Sequence, residues 1–454
     1  MLLGAFRLKR VTLVLVVLML CSVSFLSCGY SSSYYKPPSG LNTRVLASQS
    51  VASPSAGPAL IIINGSNDTL PRAAEISVGR SPGLMAISSD RTMVLAYDSA
   101  SNTVGVVNAR TESFIGSVPM PGPPPPTAPV TSMIALATGG SYTGYVAVPA
   151  ATLIGPSPGA VVVMNLTTGA IANTISVPNA QTVVASPDGT HILVFSNDDT
   201  TGIVTVISPL LVNMGNPFTT TVSGFDSPVY ALFSADSSTA YVLNCGAECG
   251  GTQASVQALN LNTTPPTLGA KVLVNGATIG LLQGSTLYVA GDGIPHGPLC
   301  TSIPSAAPTA AAHCGTLDII DLNTMQDPNY NNPAAEIAIT DGYHDRIDIS
   351  SNGQLFIGSH TCTTVGNVNN VTGEVRGCLS IFNTMTGAVV IPPDNGDVTG
   401  LQSFTSRYVE YVAEGGNLRV YDTTIDSLLL NQFVTTGSIL ITGQIVDVKA
   451  VDFF

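Results

Sequence analysis

Tryptophan is absent from all 454 residues, and charged side chains make up only 9% of them, where an average soluble domain carries roughly a quarter. Basic residues are the scarcer kind: 15 Lys and Arg face 28 Asp and Glu, and the net charge is −13. After residue 10 no Lys/Arg cluster occurs. Phosphate binding needs a basic track, so nucleic acid is excluded as a partner. His-Glu-x-x-His, a phosphate-cradling glycine loop and an EF-hand loop are also missing, which removes the common metalloprotease, nucleotide and calcium-sensor signatures. Past the N-terminus there is no second long hydrophobic run.

What replaces charge is apolar surface and small polar residues. Apolar residues reach 45%, enough for a large core, and Ser, Thr, Asn and Gly fill much of the remainder. This balance suits an exported β protein better than a cytosolic enzyme. Arg7, Lys9 and Arg10 precede the apolar run 11–20 and a small-residue region, the plan of a targeting segment covering 1–27. That region ends in "FLSCGYSSSYYKPPSG", and Ser27-Cys28 resembles the lipobox of bacterial lipoproteins, with Phe25 standing where that pattern has leucine. The resemblance implies lipid attachment at Cys28, and Gly29 after it is similar to lipoproteins sent on to the outer membrane. Residues 28–43, rich in Ser, Tyr and Pro, then read as a lipidated cysteine and flexible tether. The expected address is the bacterial cell envelope, with the membrane as a partner through the lipid.

Six further cysteines fall in three close pairs, Cys245/Cys249, Cys300/Cys314 and Cys362/Cys378. In an exported chain these are most simply three local disulfides. His296 and His313 beside Cys300 and Cys314 have the elements of a zinc site, but an oxidising compartment favours the disulfide, and no metal is assigned.

The chain repeats itself. "ASPDGTHILVFSNDDTTGIVTVI" (185–207) gives an apolar strand ending in Ser-x-Asp, a turn, a second strand, a Gly/Asn gap and a third strand. Copies start at Ala86, Ala231 and Ile347, and weaker ones fill the intervals; Asp90, Asp188 and Asp236 stand 98 and 48 residues apart. Period-2 alternation and frequent turn residues predict four short strands per unit. Such a unit buries its faces only against copies of itself, which defines an all-β propeller of four-stranded antiparallel blades. Inner strands at Met85, Ser132, Thr182, Tyr230, Thr278, Ile347, Leu401 and Val446 give eight blades, with seven as the alternative should one weak copy be an insertion. The first segment supplies three outer strands and "QIVDVKAVDFF" a lone inner one, so the two termini should share one blade and close the ring over 44–454.

Ser-Pro-Asp-Gly followed by "HILVFSN" and "IVTVI", together with "GRSPGLMAISSD", resembles the YVTN-type β-propeller repeats of bacterial and archaeal surface proteins. That resemblance implies the fold and a surface location, not an activity. The missing tryptophan counts against the quinone-dependent dehydrogenases built on eight-bladed propellers, whose blades are locked by recurrent Trp motifs. The repeated Asp residues are expected to cap turns; a row of calcium ligands is the sharper alternative.

The densest polar stretch, "TDGYHDRIDIS", puts Asp341, His344, Asp345 and Arg346 immediately before an inner strand, where loops line one mouth of the channel. Arg80 and Asp226 hold the corresponding place in other blades, so the six form the candidate ligand site for a protein or a small polar ligand at the rim. His191 and His360 read as surface or packing residues. No catalytic residue or cofactor is legible. The expected function is an exported, lipid-anchored binding or scaffolding module; the alternatives are a lactonase-type hydrolase at the channel mouth and a structural cell-surface component.

Overall fold

A computed structural model describes residues 37–50, 59–71, 75–122, 129–152, 158–196, 202–209, 218–293, 314–332, 334–362, 377–392, 396–404, 406–425, 427–428 and 444–452. Eight antiparallel sheets of four strands each form a propeller. Blade one spans Pro82–Pro119, blade two Ser132–Ser176, blade three Thr182–Ser223, blade four Pro228–Leu273, blade five Ile279–Ile339, blade six Tyr343–Val390 and blade seven Val398–Leu428. Blade eight takes Arg44–Ser50, Ala59–Asn64 and Glu75–Ile76 from the start of the chain and its inner strand, Gln444–Ala450, from the end. The eight expected inner strands all occur, Thr278 lying one residue before its strand. The sequence-based count of eight and the shared terminal blade therefore hold.

The apolar alternation explains why the blades need each other. In blade eight Leu46, Leu60 and Ile62 pack against Met85, Val94 and Ala96 of blade one, whereas Val45, Ala47, Ile61 and Ile63 pack against Phe404, Tyr411 and Val420 of blade seven. Successive residues of a strand point to opposite faces, so each sheet feeds two interfaces. Every one of the eight blade junctions carries such a buried cluster.

The strand that closes the ring pairs Val45 with Ala450, Ala47 with Val448 and Ser48 with Asp447. At its end, buried Arg44 joins three parts of the chain. Its guanidinium meets Asp452 at 2.6 Å and Glu112 at 3.0 Å, and donates to the Ala109 carbonyl at 2.6 Å. Glu112 also accepts the Ser39 N–H at 2.6 Å and its hydroxyl at 2.5 Å, so the chain is held against blade one before its first strand begins.

The Ser-x-Asp element is a self-contained turn between the inner and second strands. Ser88, Ser186 and Ser234 donate to Asp90, Asp188 and Asp236 at 2.6–2.7 Å and accept the N–H of Met93, His191 and Thr239 at 2.9–3.0 Å. Ser350 and Asn352 do the same in blade six. Burial would raise the Asp90 and Asp188 carboxyls, but hydrogen bonds from the turn, joined by the Tyr142 hydroxyl of blade two at Asp90 and by Ser237 of blade four at Asp188, outweigh it and hold both at about 2. These aspartates cap their own turns, as the turn chemistry of the repeat predicts, and also touch the neighbouring blade.

Arg44→Met leaves the Glu112 and Asp452 carboxylates without their cation. Urea denaturation should show a loss of about 3 kcal/mol, the scale of a broken buried ion pair; an unchanged midpoint would mean the ring is closed by strand pairing alone.

Candidate functional site

The four-stranded plan sorts the connections onto two faces. Turns between first and second strands and between third and fourth strands lie on one face, which is the short-turn face. Loops between second and third strands, and those leading into each inner strand, lie on the other. On this second face the link is two residues, Gly415–Gly416, in blade seven, but spans 245–254, 292–314 and 361–378 in blades four, five and six. All six of the paired cysteines fall in those three links. The Cys245–Cys249 and Cys362–Cys378 disulfides form as expected. Cys314 is buried and disulfide-bonded, and its expected partner Cys300 lies outside the described residues, as do His296 and His313.

The channel opens on this long-loop face into a cavity of about 470 Å³ ringed by Thr131, Gln181, Tyr230, Thr278, Tyr343, Asp345 and Arg346. Below it a space of about 770 Å³ runs between the inner strands, with Ile134, Leu136, Leu232, Phe233, Leu281 and Ile347 among its walls and Lys449 lower down. Because inner strands turn their unpaired edge toward the axis, backbone N–H and C=O groups also face this space.

Of the six expected site residues, the structure brings Asp345 and Arg346 to the mouth. Asp345 meets Arg346 at 2.9 Å through one carboxylate oxygen and His360 Nε2 at 2.9 Å through the other. His360 Nδ1 stands 3.6 Å from Asp397, whose other oxygen accepts the Thr361 N–H at 2.7 Å. Arg346 Nε donates to the Thr399 carbonyl at 2.7 Å. The hydrogen bond to Asp345 holds the His360 imidazole above its usual range, against the opposing effect of burial. The result is a chain of alternating basic and acidic side chains, Arg346–Asp345–His360–Asp397, across the junction of blades six and seven.

The other four lie elsewhere. His344 is fully buried beneath the mouth, with the Thr340 backbone as the hydrogen-bonding neighbour of its ring. A Cβ on Gly315 would stand 2.6 Å from the His344 ring, so a glycine makes the room for it. Burial pulls its pKa from 6.5 to about 4, and it is a neutral packing group. Asp341 is also buried, its carbonyl accepting the Ser359 hydroxyl at 2.8 Å. Asp226 turns into its own blade and accepts the Thr252 and Gln253 N–H groups at 2.9 Å, stapling the disulfide loop. Arg80 is exposed on the same face, with its backbone N–H on Asp98 at 2.9 Å.

His360 and Asp397 were not legible as site residues. The signal that could have found them is register: Tyr343 pairs with His360 across the two strands, which puts the His360 side chain beside the mouth. Glu248, inside the Cys245–Cys249 loop, also escapes sequence reasoning. Burial raises its carboxyl to about 7 although the Asp292 N–H donates to it at 2.9 Å. The stretch Gly79-Arg80-Ser81-Pro82-Gly83 has Gly-x-Ser-x-Gly spacing, yet it opens an inner strand and not a helix, so it makes no nucleophile elbow.

Chemically, the His360 imidazole is engaged by Asp345 on one side, with Asp397 near the other. Charged and hydroxyl groups around an open mouth suit recognition of a polar group.

No family model matches the chain, and no curated protein matches it. Among solved structures it is similar to the dihydro-heme d1 dehydrogenase NirN in complex with DHE, at 13% identity and a TM-score of 0.55 over 90% of this chain and 75% of that one. It is also similar to a eukaryotic initiation factor, at 12% identity and a TM-score of 0.50 over 90% and 98%. At such identities the likeness shows the propeller fold and nothing about activity.

The His344 shift fixes a pH dependence. A folded value of about 4 below the ordinary 6.5 makes its contribution complete above pH 6.5 and lost as pH falls toward 4, by roughly 3 kcal/mol. His344→Leu should flatten the decline in stability between pH 7 and pH 4.5, read by urea unfolding at both. An equal decline in variant and parent would remove His344 as its source.

Proposed function

We propose that this protein is an exported, lipid-anchored β-propeller of the YVTN-repeat kind that binds a small polar ligand or a peptide at the channel mouth on its long-loop face. One observation carries the binding site: the disulfide-closed loops and the Arg346–Asp345–His360–Asp397 chain converge on the same end of the ring. Disulfides match an oxidising compartment, and among the described residues no helix is long and apolar enough to cross a membrane. The anchor is then residue Cys28, after removal of 1–27. The hydrolase reading expects His344 at the channel mouth, whereas His344 is buried beneath it.

Two measurements test this reading. Cys28→Ser should move the protein from the membrane to the soluble fraction of the host; retention would show that the lipid is not the anchor. Arg346→Ala combined with His360→Ala should leave the thermal midpoint nearly unchanged and abolish co-purification of envelope components held by the parent. Identical co-purification would place recognition elsewhere on the ring.

A further inference from the structure

The short-turn face carries a feature the ligand site does not explain. Three large apolar side chains are more exposed than any others described: Met385 at 85%, Ile425 at 67% and Tyr408 at 50%. Met385 lies between the third and fourth strands of blade six, Ile425 between those of blade seven, and Tyr408 between the first two strands of blade seven. All three connections belong to the short-turn face. Hydrogen bonds knit the neighbouring turns together: Asn352 donates to the Thr423 carbonyl at 2.7 Å, and Arg407, beside Tyr408, grips Asp68 of blade eight at 2.7 and 2.8 Å. The apolar groups therefore stand on one braced surface. The other exposed apolar residues, Phe114, Ile171, Leu268 and Leu273, lie on outer strands, and Tyr343 is on the opposite face.

Independently, the chain enters the ring on this same face. Arg44 begins the second strand of blade eight, which runs from the short-turn face toward the long-loop face. Ser39 and Arg44 are tied to Glu112 in a turn between third and fourth strands, again on the short-turn face. Between Cys28 and Pro37 only about ten residues of chain are available, spanning at most ~33 Å when stretched. The strands alone make the ring ~20 Å thick. A tether starting on the short-turn face would have to cross that thickness and round the rim to turn the other face to a bilayer.

We propose that the short-turn face of blades six to eight rests on the lipid surface, with Met385, Ile425 and Tyr408 at the headgroup boundary, and that the channel mouth points away from the membrane. This rests on the anchor reading above. Aliphatic and tyrosine side chains are suited to that boundary. The occupant is the bilayer bearing the protein's own anchor, and the ligand site is thereby presented to molecules arriving from the aqueous side.

The absence of tryptophan supplies the test. Full-length lipidated protein carrying Met385→Trp, Ile425→Trp or, on the long-loop face, Ala100→Trp has a single tryptophan each. Each variant is bound to vesicles of phosphatidylethanolamine and phosphatidylglycerol with and without brominated acyl chains. Met385→Trp and Ile425→Trp should lose most of their fluorescence to the bromolipid and shift to the blue; Ala100→Trp should do neither. Quenching of Ala100→Trp alone, or of none while the protein stays on the vesicles, would overturn the orientation and leave the anchor intact. Failure of the parent to bind vesicles would overturn both. Met385→Ser with Ile425→Ser, both exposed, should leave the thermal midpoint unchanged and speed release of the lipidated protein from vesicles on dilution; equal release would deny these side chains a lipid contact.

Discussion

No blade of this propeller can bury its own core. Each four-stranded sheet is apolar on both faces, and its residues alternate between two neighbours, so the stability of any blade is held by the blades beside it. A linear stack would leave two apolar faces in water. The ring solves this only by closing, and the pairing of Arg44–Ser50 with Gln444–Ala450 is what closes it. Everything else in the structure, including the placement of the functional face, follows from that junction.

Closure also organises the charges. In a chain with few charged residues, some of the strongest ion pairs stand at junctions: Arg44 with Glu112 and Asp452 between blades eight and one, and Arg407 with Asp68 between blades seven and eight. Arg346 reaches the Thr399 carbonyl between blades six and seven. The Ser-x-Asp turns serve the same end at shorter range, saturating the polar groups of a tight turn so that both flanking strands can be apolar. The scarcity of charge is compatible with folding because the repeated turns meet much of their hydrogen-bonding need locally.

The two faces divide the work. One carries short, self-satisfied turns and admits the chain; the other carries long loops held by disulfides around the channel. This polarity is a consequence of four strands per blade, since an even number returns every blade to the same side. Under the proposed anchoring it would hold one end of the ring near the point of attachment and offer the other to solvent.

The repeat, the shared terminal blade, a count of eight with seven as the alternative, and two of the cysteine pairs were legible in the sequence itself, because strand alternation is local and recurs in every blade while the Ser-x-Asp turn marks several of them. The site was only partly legible. Asp345 and Arg346 were expected in a loop before an inner strand; they lie within the first residues of that strand, Tyr343–Ile349, which still sets them at the mouth. His344 could not be distinguished from them: the strand register shifts between His344 and Arg346, and at this bulge the His344 side chain turns away from the mouth and is buried beside Gly315. His360 and Asp397 lie 15 and 52 residues beyond Asp345, and only the register between strands and the junction between blades brings their side chains to it. Local pattern decides which fold forms; the meeting of distant residues across strands and blades is decided by tertiary packing, where burial and register outweigh nearness in the chain.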